Sequence, residues 1–125
     1  MIYLSLDDVL YLRELQIRQF DGSAGARDLG LIEASLLRPQ TGYYKDVIEE
    51  AAALWESLTM NHGFVDGNKR IGLVAADVFL ELNGYRIQAE PDDIIEFIQT
   101  SLSDGTFEKD RLDGWLRAHV VKTPD

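Results

Sequence analysis

The segment His62-Gly63-Phe64-Val65-Asp66-Gly67-Asn68-Lys69-Arg70 decides the fold, because it leads directly into the mainly apolar segment 71–82. In the second segment, apolar residues recur at the spacing of one helix face. They are Ile71, Val74, Ala75, Val78, Phe79 and Leu82. The pattern predicts a turn followed by a buried helix from Asn68 to Leu82, with Asn68 as its N-cap and Asn83-Gly84 closing its end.

The start of this predicted helix has the composition of an anion site. A helix start leaves backbone N–H groups without intrahelical partners and carries a partial positive charge. Gly67 allows the chain to turn and a phosphate to approach the backbone closely. Lys69 and Arg70 are the chain's only adjacent basic residues, and the helix dipole disfavours cations there unless an anion is bound. We therefore predict that Gly67, Asn68, Lys69 and Arg70 bind phosphate groups; the alternative is a solvated helix end.

Two further residues of this segment are candidates for chemistry. Asp66 would repel a phosphate, but it has a role beside one if it holds Mg²⁺, which is usually bound by one or two carboxylates and phosphate oxygens. The alternative is that Asp66 only caps the helix. Histidine is the residue type most often used as a general base, so His62 is a candidate to accept the proton of an attacking hydroxyl. A purely structural role for His62 is the competing interpretation.

Composition limits the class of protein. The 125 residues fit a single domain spanning 1–125, and 46% of them are hydrophobic, enough for a core. Without cysteine the chain can form no disulfide, and we expect a cytoplasmic location. The 12 basic and 22 acidic residues give a net charge of −10, which argues against direct nucleic-acid binding. The longest apolar run, Ile71 to Ala76, is too short for a membrane span of about 20 residues.

Helical periodicity dominates the chain, and no β pattern is long enough to predict a sheet. The expected class is therefore all-α. Six helices are predicted, at about 6–19, 28–38, 45–60, 68–82, 91–103 and 108–121. A loop is expected at 20–27, a connector at 40–44 and a short extended piece at 85–87. We expect Trp55 and Trp115 in the core.

The central segment resembles the motif of the Fic/Doc superfamily, and within it the Doc (death-on-curing) toxin branch. The superfamily pattern is His-Pro-Phe-x-(Asp/Glu)-Gly-Asn-Gly-Arg, followed by a second Arg further along. The chain matches it at His62, Phe64, Asp66, Gly67, Asn68 and Arg70. Lys69 stands where AMP-transferring members have glycine, which is typical of Doc. Segments 25–33, 38–40 and 78–84 also resemble the Doc type.

The resemblance implies a compact six-helix Fic/Doc fold and a toxin of a bacterial toxin–antitoxin pair. Doc-like members use ATP as phosphate donor, with Mg²⁺, to phosphorylate a threonine of elongation factor Tu, which stops translation. In that scheme His62 is the general base, Asp66 a Mg²⁺ ligand, and Asn68 positions the phosphates. Lys69 and Arg70 bind the phosphate that is transferred. The implied partners are a cognate, Phd-like antitoxin and the translation factor.

The chain departs from the superfamily pattern at two positions. Gly63 replaces the usual Pro, and we expect this to loosen the loop that holds His62. Val74 stands about where AMP-transferring members place their second Arg, which counts against AMP transfer. The nearest match to a self-inhibitory helix is Thr100 with Asp104-Gly105, which has the wrong acid, so an external antitoxin is expected.

Alternative functions remain open at this point. One is transfer of AMP to a protein, as in Fic-type members; Lys69 and Val74 argue against it. Another is a catalytically silent protein that acts by forming a complex with its antitoxin, including regulation of its operon. The segment Thr41 to Tyr44 resembles the flap against which a target peptide would dock.

Overall fold

The computed structural model describes residues 1–22 and 25–124, and in them it confirms the all-α class with six α-helices. The helices are α1 (Leu6–Phe20), α2 (Leu29–Leu37), α3 (Val47–Met60), α4 (Asn68–Leu82), α5 (Pro91–Ser103) and α6 (Lys109–His119). A 3₁₀ turn, Arg38–Thr41, follows α2. The strands β1 (Tyr85–Ile87) and β2 (Val120–Lys122) form one small sheet. None of the described helices combines the length and apolar character needed to cross a bilayer.

Helices α3 and α4 form the central pair of the fold and share its most extensive interface. Small residues allow the two helices to approach closely. A Cβ atom on Gly72 of α4 would overlap the hydroxyl of Thr59 on α3, and Ala75 of α4 is fully buried. On α3 the run Ala51, Ala52 and Ala53 is also fully buried. This close packing fixes the start of α4 relative to the end of α3.

An aromatic cluster joins the C-terminal helices to this pair. Trp55 of α3 is fully buried and contacts Phe97, Phe107 and Trp115, with ring centroids 6.0, 5.7 and 5.8 Å away. Trp115 is partly buried and stacks on Phe97 at 5.1 Å. The expected core positions of Trp55 and Trp115 are therefore confirmed, although Trp115 lies at the edge. His119 is the last residue of α6, and its ring stacks on Trp115. A basic side chain at this end of a helix interacts favourably with the helix dipole.

Local signals explain most helix boundaries. Ser5 and Asp8 form a capping box at the start of α1, and Asp28 and Asp46 cap α2 and α3 through their side chains. The chain leaves α2 just before Pro39, which cannot continue an α-helix. In the predicted loop 20–27, Phe20 instead ends α1, while 23–24 lie outside the described residues.

The prediction that the last helix continues to Val121, and that the chain forms no sheet, was wrong. Helix α6 ends at His119, and Val120 adopts an extended conformation. Val120–Lys122 then pair antiparallel with Tyr85–Ile87, the piece expected to be extended. The β-branched pair Val120-Val121 favours a strand once a partner lies alongside, and in the register Ile87↔Val120 that partner is 33 residues away.

Candidate active site

The start of α4 is a turn without a side-chain cap, and its N-cap is Gly67. The prediction of Asn68 as N-cap was wrong, because Asn68 is already the first helical residue. Gly67 has φ +75°, a left-handed conformation that favours glycine, and its carbonyl accepts from Ile71 N–H at 3.0 Å. The N–H groups of residues 68–70 precede that bond and have no partner within the helix. No side chain in the described part of the chain caps them.

The Asn68 side chain closes the loop that precedes the helix. Its Oδ1 accepts from the backbone N–H of Phe64 at 3.1 Å, and its Nδ2 donates to the Phe64 carbonyl at 3.2 Å. The Phe64 ring is 2% exposed and anchors the loop in the core. The amide of Asn68 therefore fixes the turn from which the N–H groups of α4 project.

A cleft of about 460 Å³ lies in front of this turn. Its lining includes His62 and the four residues predicted to bind phosphates, together with side chains from α3 and α5: Thr59, Met60, His62, Gly67, Asn68, Lys69, Arg70 and Leu102. The structure thus brings the predicted base and the predicted anion ligands to one cavity. Lys69 and Arg70 are exposed, and neither forms an ion pair with an acid among residues 1–22 and 25–124.

His62 is held at the cleft by a constrained backbone. It adopts φ +52°, an uncommon left-handed conformation for a side chain of this size. The next residue, Gly63, is buried, and its carbonyl accepts from the N–H groups of Arg27 and Asp28 at 2.8 and 2.9 Å. These contacts argue against the expectation that Gly63 loosens the loop.

Asp66 lies on the other side of the turn and contacts a residue that sequence reasoning missed. Its carboxylate accepts a hydrogen bond from the guanidinium of Arg13 on α1. Asp66 lines a neighbouring cavity of about 290 Å³ rather than the larger cleft, and Gly67 and Arg70 border both. Within the described residues, no three His, Asp or Glu side chains gather into a metal-binding group. A single carboxylate beside a predicted phosphate site still suits Mg²⁺, which takes most of its ligands from phosphate and water.

Arg13 could have been found from its position in the helical pattern. It lies on the inward face of α1 with Val9 and Gln16, and all three are buried. An arginine on the buried face of an amphipathic helix requires a partner. The sequence alone does not show which of the 22 acids that partner is.

Phe20 is a second missed residue. Its ring is 54% exposed, and the guanidinium of Arg70 lies over it at 5.1 Å from the centroid. The contact places an aromatic face against a cation that the helix dipole would otherwise disfavour. Both missed residues belong to α1, so this helix forms one wall of the smaller cavity that Asp66 lines.

Comparison with known proteins agrees with this geometry. A family model described as the Fic/DOC family matches residues 3–80, well over half of the chain. The chain belongs to the Fic/Doc family. A relative named Toxin Doc, from Mycolicibacterium smegmatis, is 42% identical over 95 residues, covering 72% of this chain and 71% of the relative. Protein kinase doc of Escherichia phage P1 is 30% identical over 96 residues, covering 74% and 76%.

These relatives place the chain in the Doc branch of the family, as the motif predicted. The matched region ends at residue 80 and therefore includes α1, the His62 loop and nearly all of α4. Val74, the residue taken above as an argument against AMP transfer, is partly buried on α4.

Proposed function

We propose that this Doc-branch protein is the toxin of a bacterial toxin–antitoxin pair and that it transfers a phosphoryl group from ATP to a hydroxyl of a translation factor. The observation that carries the proposal is that His62 and the Lys69-Arg70 pair line one cleft at the open start of α4. A base and a phosphate cradle within one cavity are the parts that this reaction needs.

In the proposed reaction, each residue acts on a defined group. The N–H groups at the start of α4, with Lys69 and Arg70, bind the phosphates of ATP and stabilise the charge on the group in transfer. His62 takes the proton from the acceptor hydroxyl. The hydroxyl oxygen bonds to the γ-phosphorus, the bond from that phosphorus to the β–γ bridging oxygen breaks, and ADP leaves.

Asp66 is the residue proposed to hold Mg²⁺. The bound ion would neutralise phosphate charge and help to orient the triphosphate. Asn68 contributes indirectly, because its bonds to the Phe64 backbone keep the turn in place. Lys69 replaces the glycine of AMP-transferring members, and we expect its longer side chain to favour delivery of the γ-phosphate.

The first test is intact-mass measurement of elongation factor Tu after incubation with the protein and Mg²⁺-ATP. His62→Asn is the informative variant, because Asn tolerates the left-handed backbone that His62 adopts. His119→Asn is the matched control, since it removes the only other histidine and lies on α6. We expect a gain of one phosphate with wild type and His119→Asn, and none with His62→Asn. A gain of one AMP would instead establish the Fic-type alternative.

A second test concerns the toxin role. Expression of the wild-type protein should arrest bacterial growth, and co-expression of the cognate, Phd-like antitoxin should relieve the arrest. Arrest that persists in His62→Asn would favour the non-catalytic alternative, in which the protein acts through complex formation.

A further inference from the structure

Arg13 is the most deeply buried charged residue near the site. It is 3% exposed and lies on the inner face of α1, and its Nη2 donates to Oδ1 of Asp66. A buried guanidinium is costly unless a counter-charge accompanies it. The Asp66 side chain is half exposed, so the pair joins the interior of the fold to the surface of the site.

The same guanidinium also covers Gly67. A Cβ atom built on Gly67 would overlap Nη1 and Cζ of Arg13. Position 67 therefore needs glycine for two reasons, its left-handed φ and the close approach of Arg13. One side chain thus contacts both the proposed metal ligand and the turn at the start of α4.

This arrangement has an electrostatic consequence for a divalent cation. The positive charge of Arg13 opposes a second positive charge at the same carboxylate, and the pair is partly shielded from water. Arg70 borders the same small cavity and adds to this opposition. A nucleotide phosphate would supply the negative charge and the oxygen ligands that a cation needs there.

We propose that Arg13 is a positioning residue that holds Asp66 and lowers its affinity for a free divalent cation, so that the metal binds only together with the nucleotide. This inference rests on the proposed function, since it takes Asp66 as the metal ligand. Under this proposal, a residue of α1, outside the motif at residues 62–70, controls when the metal binds.

The test measures binding of Mn²⁺ to the metal-free protein by electron paramagnetic resonance of the free ion, with and without ADP. Arg13→Met removes the positive charge and keeps a long, unbranched side chain that can fill the buried space. The direction of the resulting change in Mn²⁺ affinity then distinguishes an electrostatic role of Arg13 from a structural one. Arg18→Met is the matched control, because Arg18 lies on the same helix but is exposed and pairs with Glu14. Arg13→Lys keeps the charge. Circular dichroism establishes that each variant is folded.

We expect Arg13→Met to bind Mn²⁺ alone about tenfold more tightly than wild type, while Arg13→Lys and Arg18→Met stay close to wild type. Wild type should bind Mn²⁺ tightly only when ADP is present. A merely structural role predicts the opposite sign, because a loosened site binds metal more weakly. Unchanged or weaker binding in Arg13→Met would therefore overturn the proposal.

Two additional variants keep the proposal separate from the proposed function. If Arg13→Met unfolds, Arg13→Gln replaces it, with Arg18→Gln as its control. In the double variant Arg13→Met/Asp66→Asn the gain in Mn²⁺ affinity should vanish; a gain that persists would show that Asp66 is not the ligand and would overturn the inference. Failure of the mass assay on elongation factor Tu would remove the proposed substrate and leave the Mn²⁺ result standing.

Discussion

Gly63 packs directly against Ile32, so closely that a Cβ atom at position 63 would overlap Cγ1 of the Ile32 side chain. Ile32 is 1% exposed in the core of α2, and the backbone N–H of Ile32 and the carbonyl of Asp28 also lie near that space. The loop that carries His62 is therefore fitted to α2 at a position where the superfamily usually has proline. The glycine and the isoleucine therefore form a tight packing pair between this loop and α2.

Gly63→Ala should destabilise the protein by about 1–3 kcal/mol, because an added methyl group overpacks a filled site. Gly63→Pro, which restores the superfamily residue, should be at least as destabilising for the same reason. Chemical denaturation of both variants measures the effect. The double variant Gly63→Ala/Ile32→Ala should cost less than the sum of its single changes, because the shortened Ile32 makes room. Strict additivity would show that the two positions do not interact.

Asn68 provides a test that separates stability from phosphate binding. Asn68→Ala removes both side-chain bonds to the Phe64 backbone and should cost about 1–2 kcal/mol in the free energy of unfolding. Asn68→Asp keeps the acceptor and places a negative charge at a helix start, where the dipole favours it, so its stability loss should be smaller. That same charge should repel a nucleotide strongly.

The measurements for Asn68 are thermal unfolding and calorimetric titration with ATP. Ala at position 68 should lower the stability more than Asp does, while Asp should lower the ATP affinity more than Ala does. If both substitutions lower the two quantities in parallel, Asn68 acts on binding only through the fold.

The predictable part of this protein is local in sequence. The boundaries of α4, the cap of α1 and the turn at Gly67 follow from neighbouring residues: apolar spacing, a Ser-x-x-Asp cap and a glycine where φ is positive. The relation of His62 to Lys69 and Arg70 also spans fewer than ten residues, so the motif alone places them together.

The unpredicted part depends on distant contacts. Arg13 meets Asp66 across 53 residues, and Val120 pairs with Ile87 across the whole of α5 and α6. Periodicity marks Arg13 as inward-facing but cannot name its partner, and the Val120-Val121 pair is compatible with both a helix end and a strand. The assignment of Asn68 as the cap was wrong because its side chain bonds to the backbone of Phe64 instead of to the helix start. The Phe64 backbone is held in reach of Asn68 because the Phe64 ring is buried in the core.

Asp77 on α4 gives the protein a predictable dependence on pH. Burial raises the pKa of the Asp77 carboxyl above its ordinary value, and the neighbouring Glu81 carboxylate raises it further, while the N–H of Ile87 opposes the change. Because the folded state has the higher pKa, the contribution of Asp77 to stability is fully present below the unfolded pKa and is lost as the pH rises through the folded pKa.

Asp77→Asn should therefore stabilise the protein at pH 7, since it removes a partly buried charge and keeps an oxygen acceptor for Ile87. The gain should shrink as the pH falls and vanish below the unfolded pKa of about 4. Urea unfolding across this pH range measures it. Glu81→Gln should produce part of the same gain at pH 7. A stabilisation by Asp77→Asn that is constant with pH would exclude a charge effect.

Phe20 should affect nucleotide binding through Arg70. Phe20→Leu keeps an apolar side chain but removes the aromatic face under the guanidinium, a contact of about 0.5–1 kcal/mol at an exposed site. With Arg70 less restrained, the affinity for ATP should fall about two- to fivefold, while the unfolding transition changes little. Phe20→Tyr preserves the ring face and should bind ATP as wild type does, which makes it the matched control.

The double variant tests whether Phe20 acts through Arg70. In an Arg70→Gln background the Phe20→Leu substitution should have no further effect on ATP affinity, because the guanidinium that the ring contacts is absent. An undiminished effect there would show that Phe20 contacts the nucleotide directly.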